Sequence, residues 1–299
     1  MKQIGIAGIV PYMTSDRNIG GKAFFAKRAG FARCASFLAL TAFLAACSST
    51  SGTLEQAVQL DPAQGSQNNI ASLTRVVEAN PSSPEAYNIR GTAYGRAGKN
   101  RDALADFTKA IELNPKFYQA YANRALIHRQ TGNPADAVKD YTKALRINPS
   151  YDDAYIGRGN VYRFAGRQKE ALTDYERAIR LGTTNPRAYH SRGLILQSEN
   201  QHDRAIDDFT TAISLAPDAP EPYNARGVSY IATNDLENAL ADINRALTLN
   251  DRYAEAWVNH GLIFEQRNER RKAFKSYSRA ANLDRDYKPA RDGMSRTRS

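Results

Sequence analysis

Residues Tyr121–Pro149, YANRALIHRQTGNPADAVKDYTKALRINP, decide how this chain is read, because close variants of that stretch precede and follow it at one fixed spacing. Shifting the sequence against itself by 34 residues keeps register without an insertion. An aromatic ladder appears: Tyr87, Tyr121, Tyr155, Tyr189, Tyr223 and Trp257. Four residues after each stands a tiny one, Gly91, Ala125, Gly159, Gly193, Gly227 and Gly261. Two alanine ladders follow, Ala103, Ala137, Ala171, Ala205, Ala239, Ala273 and Ala110, Ala144, Ala178, Ala212, Ala246, Ala280. Between them sits a bulky residue: Phe107, Tyr141, Tyr175, Phe209, Ile243 or Tyr277.

Within each unit the apolar and small residues recur every three or four, which marks one face on each of two successive helices. Small residues at the crossing points let the two backbones approach, and the intervening ring fills the groove between helices. The turn residue is Gly98, Gly132 or Gly166 in the first three units and Asn200, Asn234 or Asn268 in the last three. Both types tolerate the left-handed conformation that ends a helix. Ser83-Pro84, Asn133-Pro134 and Asn185-Pro186 each read as an N-cap followed by proline at the first helical position.

From Pro84 to about Arg285 this pattern resembles the tetratricopeptide repeat. The resemblance implies an all-α fold, a right-handed α-solenoid of helix-turn-helix units at 84–117, 118–151, 152–185, 186–219, 220–253 and 254–286. Residues 68–83 read as an N-terminal capping half-repeat, with Leu73 and Val76 one period before Phe107 and Ala110. Residues 287–299 read as a capping helix and basic tail, of which Ser295–Ser299 is expected to fray.

Residues 1–46 have the character of a secretory signal: Lys22, Lys27, Arg28 and Arg33 precede the apolar run Cys34–Ala46, which is too short to span a bilayer. Translation from Met1 or from Met13 leaves this reading unchanged. Leu44-Ala45-Ala46-Cys47 resembles the bacterial lipobox, which implies that Cys47 is lipidated and becomes the new N-terminus. Cys34 would leave with the signal, so the mature chain has no thiol pair for a disulfide. Ser48 after the cysteine implies, by resemblance to sorting in enteric bacteria, anchoring to the periplasmic face of the outer membrane. Residues 47–67 form the lipidated start and a small, polar tether.

The family commonly carries an aliphatic residue three positions after the ladder aromatic. Here Arg90, Arg124, Arg158, Arg192 and Arg226 occupy it, and in the same five units Asp106, Asp140, Asp174, Asp208 and Asp242 precede the bulky residue. The sixth unit loses both together, to His260 and Ser276. Joint retention and joint loss predict an ion pair between the two helices of one unit, partly buried and fixing their register.

By resemblance the first helices line a concave groove through the positions two before the aromatic and one, five, eight and nine after it. The candidate partner-binding residues are Arg96, Arg129, Asn160, Arg163, Phe164, Arg187 and His190. They complement a protein or peptide with acidic residues beside hydrophobic anchors. The position one after the aromatic holds no lysine, so the family's clamp for chaperone C-terminal carboxylates is absent. No histidine pair stands at helical ligand spacing, no thiol nucleophile survives maturation, and no phosphate-binding glycine loop occurs. The expectation is therefore a binding protein without catalytic residues, metal or cofactor.

The chain carries 41 Lys/Arg against 31 Asp/Glu, a formal +10. Removing 1–46 leaves 35 against 30, and Arg267–Ser299 alone holds eleven against four, so the surplus sits at the C-terminal end. Export argues against nucleic acid as a partner. The family's lipid-anchored members imply an adaptor for envelope proteases or peptidoglycan hydrolases first, and an assembly factor for pili or outer-membrane proteins second. A glycan or small-ligand site would need several aromatics on the groove, where only Phe164 qualifies, and homodimerisation through an end repeat stays open.

Overall fold

The computed structural model describes residues 65–298, and among these residues there are fourteen helices and no strand. The signal, Cys47 and the tether as far as Gln64 lie outside the described residues. Helix α1 (Gln67–Ala79) precedes six antiparallel pairs. These are α2 (Pro84–Arg96) with α3 (Asn100–Leu113), α4 (Tyr118–Gln130) with α5 (Pro134–Ile147), and α6 (Asp152–Phe164) with α7 (Gln168–Arg180). The series continues with α8 (Pro186–Ser198) and α9 (His202–Leu215), α10 (Pro220–Ala232) and α11 (Leu236–Leu249), and α12 (Ala254–Gln266) and α13 (Arg270–Leu283). Helix α14 (Lys288–Thr297) closes the array.

Each pair turns on one left-handed residue. Asn200, Asn234 and Asn268 stand at φ of 59°, 62° and 61°, in the same place as Gly98, Gly132 and Gly166. The second helices of the first, second, fifth and sixth pairs stop on an Asx turn. Asn114, Asn148, Asn250 and Asp284 each accept the N–H two residues on at 3.0 Å, which satisfies a donor the helix no longer serves. The third pair departs: α7 ends one residue early on Gly182, at φ 80°, whose N–H reaches the Ile179 carbonyl. Ser83 and Asn185 cap their helices through side-chain oxygens. Asn133 does not, because its amide donates back to Thr131 instead and leaves Pro134 to start α5.

The packing within a pair is ring on glycine rather than backbone on backbone. A methyl carbon added at Gly193 would meet the Phe209 ring at 2.7 Å, and one at Gly159 the Tyr175 ring at 2.8 Å. The second pair, with Ala125 at the crossing, solves the problem differently: the Tyr141 ring lies over Gly157 of the next repeat, where an added carbon would sit 2.4 Å from it. Isoleucine, asparagine, serine or alanine occupies the Gly157 position elsewhere, as Ile89, Asn123, Ser191, Ala225 and Asn259.

Neighbouring first helices touch one another along the array, whereas the second helices of neighbouring pairs do not. The first helices are therefore on the inside of the curve, and the face they present is concave.

Both ends are covered. Helix α1 buries Ile70 and Val77, while Leu73 and Val76 are only half-buried. At the other end the expected fraying stops short: Arg296 is paired with Glu265, and Thr297, 2% exposed, bonds the Gly293 carbonyl at 2.7 Å. The last repeat holds Arg296 and the buried Thr297 bonds back to its own helix, so helix α14 runs through Thr297.

Gly157→Ala is expected to lower stability by about 1–3 kcal/mol, the cost of overpacking a filled core. Thermal unfolding followed by circular dichroism checks this. Combined with Tyr141→Leu, the change should cost less than the two single losses added together, since the two sites share one contact.

Candidate functional site on the concave face

The five arginines three residues after the ladder aromatic hold their aspartates through two parallel bonds. Arg90 Nε and Nη2 donate to the two Asp106 oxygens at 2.8 and 2.7 Å. The corresponding distances are 2.7 and 2.9 Å for Arg124 with Asp140, 2.9 and 2.8 Å for Arg158 with Asp174. They are 2.8 and 2.7 Å for Arg192 with Asp208, and 2.7 and 2.8 Å for Arg226 with Asp242. The aspartates are buried. The bond to the carboxylate raises each guanidinium's pKa above its ordinary value, against the opposing effect of burial. Aromatics flank the cations: Arg90 lies 5.6 Å from the Tyr87 ring and 5.7 Å from Tyr94, Arg158 5.8 and 5.9 Å from Tyr155 and Tyr162. In the sixth repeat a neutral contact replaces the pair, His260 Nδ1 to Ser276 Oγ at 2.9 Å.

These rungs also reach the preceding repeat. Arg124, Arg158 and Arg226 each donate through Nη1 to Thr108, Thr142 and Thr210, at 3.1, 3.1 and 2.9 Å. Glu176 stands at that position ahead of Arg192 and acts on it by charge. Threonine directly after the bulky residue was the available sequence signal, and it is visible only once the units are aligned.

The level of the groove that carries the most information lies eight residues after the ladder aromatic: Gly95, Arg129, Arg163, Gln197, Ile231 and Glu265. Gln197 is satisfied internally, its amide donating to the Ala225 carbonyl and Ser229 Oγ, both at 2.8 Å. Glu265 accepts from Arg296 at 2.8 and 2.9 Å and from the Tyr277 hydroxyl at 2.6 Å. The Arg296 bonds lower its pKa below the usual carboxylate value. Arg129 and Arg163 differ: each has a buried Nε without a hydrogen-bond partner. Leaving such a donor unpaired costs roughly 1–3 kcal/mol.

Around Arg163 the structure gathers several of the expected residues. Tyr175 donates to Asn160 Oδ1 at 2.8 Å, and Ser191 donates to the same oxygen at 3.3 Å. Phe164 is 53% exposed, and the Arg163 guanidinium lies 4.5 Å from its ring centre. Burial, and secondly the Arg163 charge, push the His190 imidazole down to about 4, so it is neutral. Near Arg129, burial pushes the Tyr141 phenol up to about 12 while the arginine charge pulls the other way. Arg96 and Arg187 stay exposed and outside this cluster. Tyr141, Tyr175 and Ser191 were not among the expected groove residues. Their signal is tyrosine in place of phenylalanine at the bulky position, since a buried phenol calls for a polar partner.

Three family models match the chain: one described as Tetratricopeptide repeat over residues 90–152 and 224–288, one described as TPR repeat over 159–199, and a second Tetratricopeptide repeat model over 186–219. Among solved structures, the chain is similar to the APC/C hetero-tetramer Cut9-Hcn1 at 18% identity and a TM-score of 0.69, covering 79% of this chain and 47% of that one. It thus spans about half the length of that relative. YrrB, described as a TPR protein with an unusual peptide-binding site, is 28% identical with a TM-score of 0.54 over 63% of this chain and 97% of its own. PilF of Pseudomonas aeruginosa is 17% identical with a TM-score of 0.65, over 71% and 97%. No curated protein sequence matches.

Removing one member of a rung should be severe: Asp174→Ala leaves Arg158 half-buried and unpaired and is expected to cost roughly 3–5 kcal/mol, whereas Arg158→Leu with Asp174→Leu costs less than the two single changes combined. Urea unfolding of the four proteins measures the difference. His190 gives a pH signature. Its folded pKa lies below the unfolded value of about 6.5, so the unfolded chain takes up the proton first and stability falls as pH drops from about 6.5 toward 4. Between pH 7 and 5 the loss should be about 2 kcal/mol larger in the parent protein than in His190→Gln.

Proposed function

The chain belongs to the tetratricopeptide-repeat family, and from that premise we propose that it is a lipid-anchored scaffold which gathers a protein partner into its concave groove. The family fold is that of a protein-interaction scaffold. In this reading the protein is attached through Cys47 to the periplasmic face of a bacterial outer membrane and serves as an adaptor for envelope enzymes such as proteases or peptidoglycan hydrolases. Support for the anchor comes from the apolar run Cys34–Ala46 ending at Leu44-Ala45-Ala46-Cys47. Several acyl chains on one residue give firm attachment where a single chain is marginal. Among the described residues no helix is long and apolar enough to cross a membrane.

The observation that carries the groove reading is the buried Nε of Arg129 and of Arg163, each without a hydrogen-bond partner, with the exposed Phe164 ring beside Arg163. A partner segment with acidic side chains beside apolar ones supplies what both lack. The peptide-binding site in the description of YrrB, at 28% identity, supports the same reading.

Two measurements test it. Cys47→Ser is expected to abolish labelling by radioactive palmitate and to move the protein from the membrane pellet to the supernatant; a protein that stays in the pellet would refute the anchor. Cross-linking in intact cells followed by capture of the parent chain should retain a protein partner, which Arg129→Glu with Arg163→Glu loses. Equal retention by the double variant would move the partner site away from the groove.

A further inference from the structure

The second helix of the sixth repeat departs from the other five in its charge. In α3, α5, α7, α9 and α11 the first turn carries an acid, respectively Asp102, Asp136, Glu170, Asp203 and Glu237. An acid there suits the positive end of the helix dipole. The first turn of α13 has none. Counted in periods of 34 residues, Arg271 stands at the position of Asp203 and Glu237, and Lys272 at that of Asp102, Asp136 and Glu170. The whole helix carries Arg270, Arg271, Lys272, Lys275 and Arg279 and no acid, the rung aspartate having become Ser276. Cations at that end oppose the helix's own dipole, and a local rule broken in this way marks a surface shaped for something outside the chain.

Neutralisation from within is partial. Glu269 pairs with Lys272 and Glu265 with Arg296, while Asp251 and Asp286 lie 3.9 Å from Arg279 and Arg291. Among the described residues no carboxylate oxygen comes within the 4.0 Å ion-pair distance of Arg271, Lys275, Arg285, Lys288 or Arg298. All five are exposed. Two of them meet: Arg271, at the start of α13, and Arg298, just past the end of α14, line one cleft of about 150 Å³ with the half-buried Phe274 and the buried Thr297. Lys275 follows Arg271 by four residues and shares its face of α13.

The kind of partner follows from what this face lacks. No large apolar side chain is exposed on it, since those exposed among the described residues, Leu126, Phe164 and Leu215, belong to earlier repeats. A protein interface has an apolar centre from which charges are depleted. An anionic phospholipid surface needs only cations that reach it. A phosphodiester fits two guanidinium forks, and Phe274 offers an apolar floor to the carbons next to it.

We propose that α13 and α14 form a docking face for an anionic phospholipid bilayer, with one lipid phosphate seated in the cleft between Arg271 and Arg298 and Lys275 meeting a neighbouring headgroup. The choice of a bilayer among polyanions rests on the envelope-anchored reading, and the face is separate from the groove.

The test uses the full chain, purified in detergent and transferred to nanodiscs of pure phosphatidylcholine or of an equal mixture with phosphatidylglycerol. Amide hydrogen exchange is read peptide by peptide by mass spectrometry. Peptides from residues 267–298 are expected to exchange severalfold more slowly on the anionic discs than on the neutral ones. The difference should vanish on raising salt from about 0.1 M to 1 M, which shortens the screening length from about 10 to 3 Å. Each cation near such a surface is worth about fivefold in affinity, so Arg271→Ser with Lys275→Ser and Arg298→Ser should weaken the contact about a hundredfold and abolish the slowing. Unchanged exchange over α2–α12 verifies that this variant is folded. Lys139→Ser with Lys143→Ser and Arg146→Ser removes three equally exposed cations from α5 and should leave the slowing intact. No slowing on anionic discs, equal slowing on neutral ones, or equal loss in the α5 variant would overturn the docking face. On neutral discs, slowing by inorganic phosphate equal to that of the anionic discs, or stronger slowing by polyglutamate, would overturn the choice of a bilayer. The outcome is distinct from the Cys47→Ser fractionation: charge-dependent slowing in a chain that proves unanchored keeps the docking face and refutes the anchor, and the reverse refutes the docking face alone.

Discussion

Each second helix lays one large side chain against a tiny residue of its own first helix, and the array depends on this contact. Phe209 on Gly193 and Tyr175 on Gly159 are pressed so closely that no side-chain carbon could be added between them. A ring buried this way removes a large apolar area from water and gains dispersion contacts on both faces. Because the contact is made inside one unit, each pair of helices has its own small core, and the stacking of units extends that core without any long-range closure. The second repeat shows the constraint by departing from it. With Ala125 at the crossing, the Tyr141 ring is accommodated by Gly157 of the following unit, so the small residue has been moved rather than lost.

Packing of rings against glycine leaves rotation and sliding of the two helices loosely defined, and the arginine–aspartate rungs remove that freedom. A bidentate pair has only one geometry in which both bonds form. Its worth lies in specifying register more than in net stability, because desolvating both charges offsets much of their attraction. The additional bonds from Arg124, Arg158 and Arg226 to threonines of the preceding repeat carry the same register from unit to unit. The flanking tyrosines help a cation to be tolerated where an aliphatic residue is usual, since aromatic faces attract a partly desolvated guanidinium.

With register fixed, residues one period apart stand at the same height on the concave face, and chemistry there is decided by what faces them. The fourth and sixth repeats satisfy that level internally, through Gln197 and through Glu265 with Arg296. The second and third do not, and the Nε of Arg129 and of Arg163 stays buried there without a hydrogen-bond partner. The C-terminal helix thus does two things at once: it covers the last core and neutralises the groove beside it.

The period of 34 residues, the ring and alanine ladders, the six left-handed turns and the pairing of Arg90, Arg124, Arg158, Arg192 and Arg226 with their aspartates were legible in the sequence, because each depends on contacts within one unit whose spacing repeats. The candidate groove residues could be named by position, but not ranked. Arg96, Arg129 and Arg163 look alike as letters, and only the folded chain leaves Arg96 in solvent while enclosing the Nε of the other two. The exchange of small residues between Ala125 and Gly157, the hold of Arg296 on Glu265, and the turning of Asn160 toward Tyr175 and Ser191 were likewise settled by tertiary structure. Each joins different helices, most of them in neighbouring units, and which donor finds which acceptor there is a matter of distance and burial. Periodicity fixes where a side chain starts, and packing fixes what it meets.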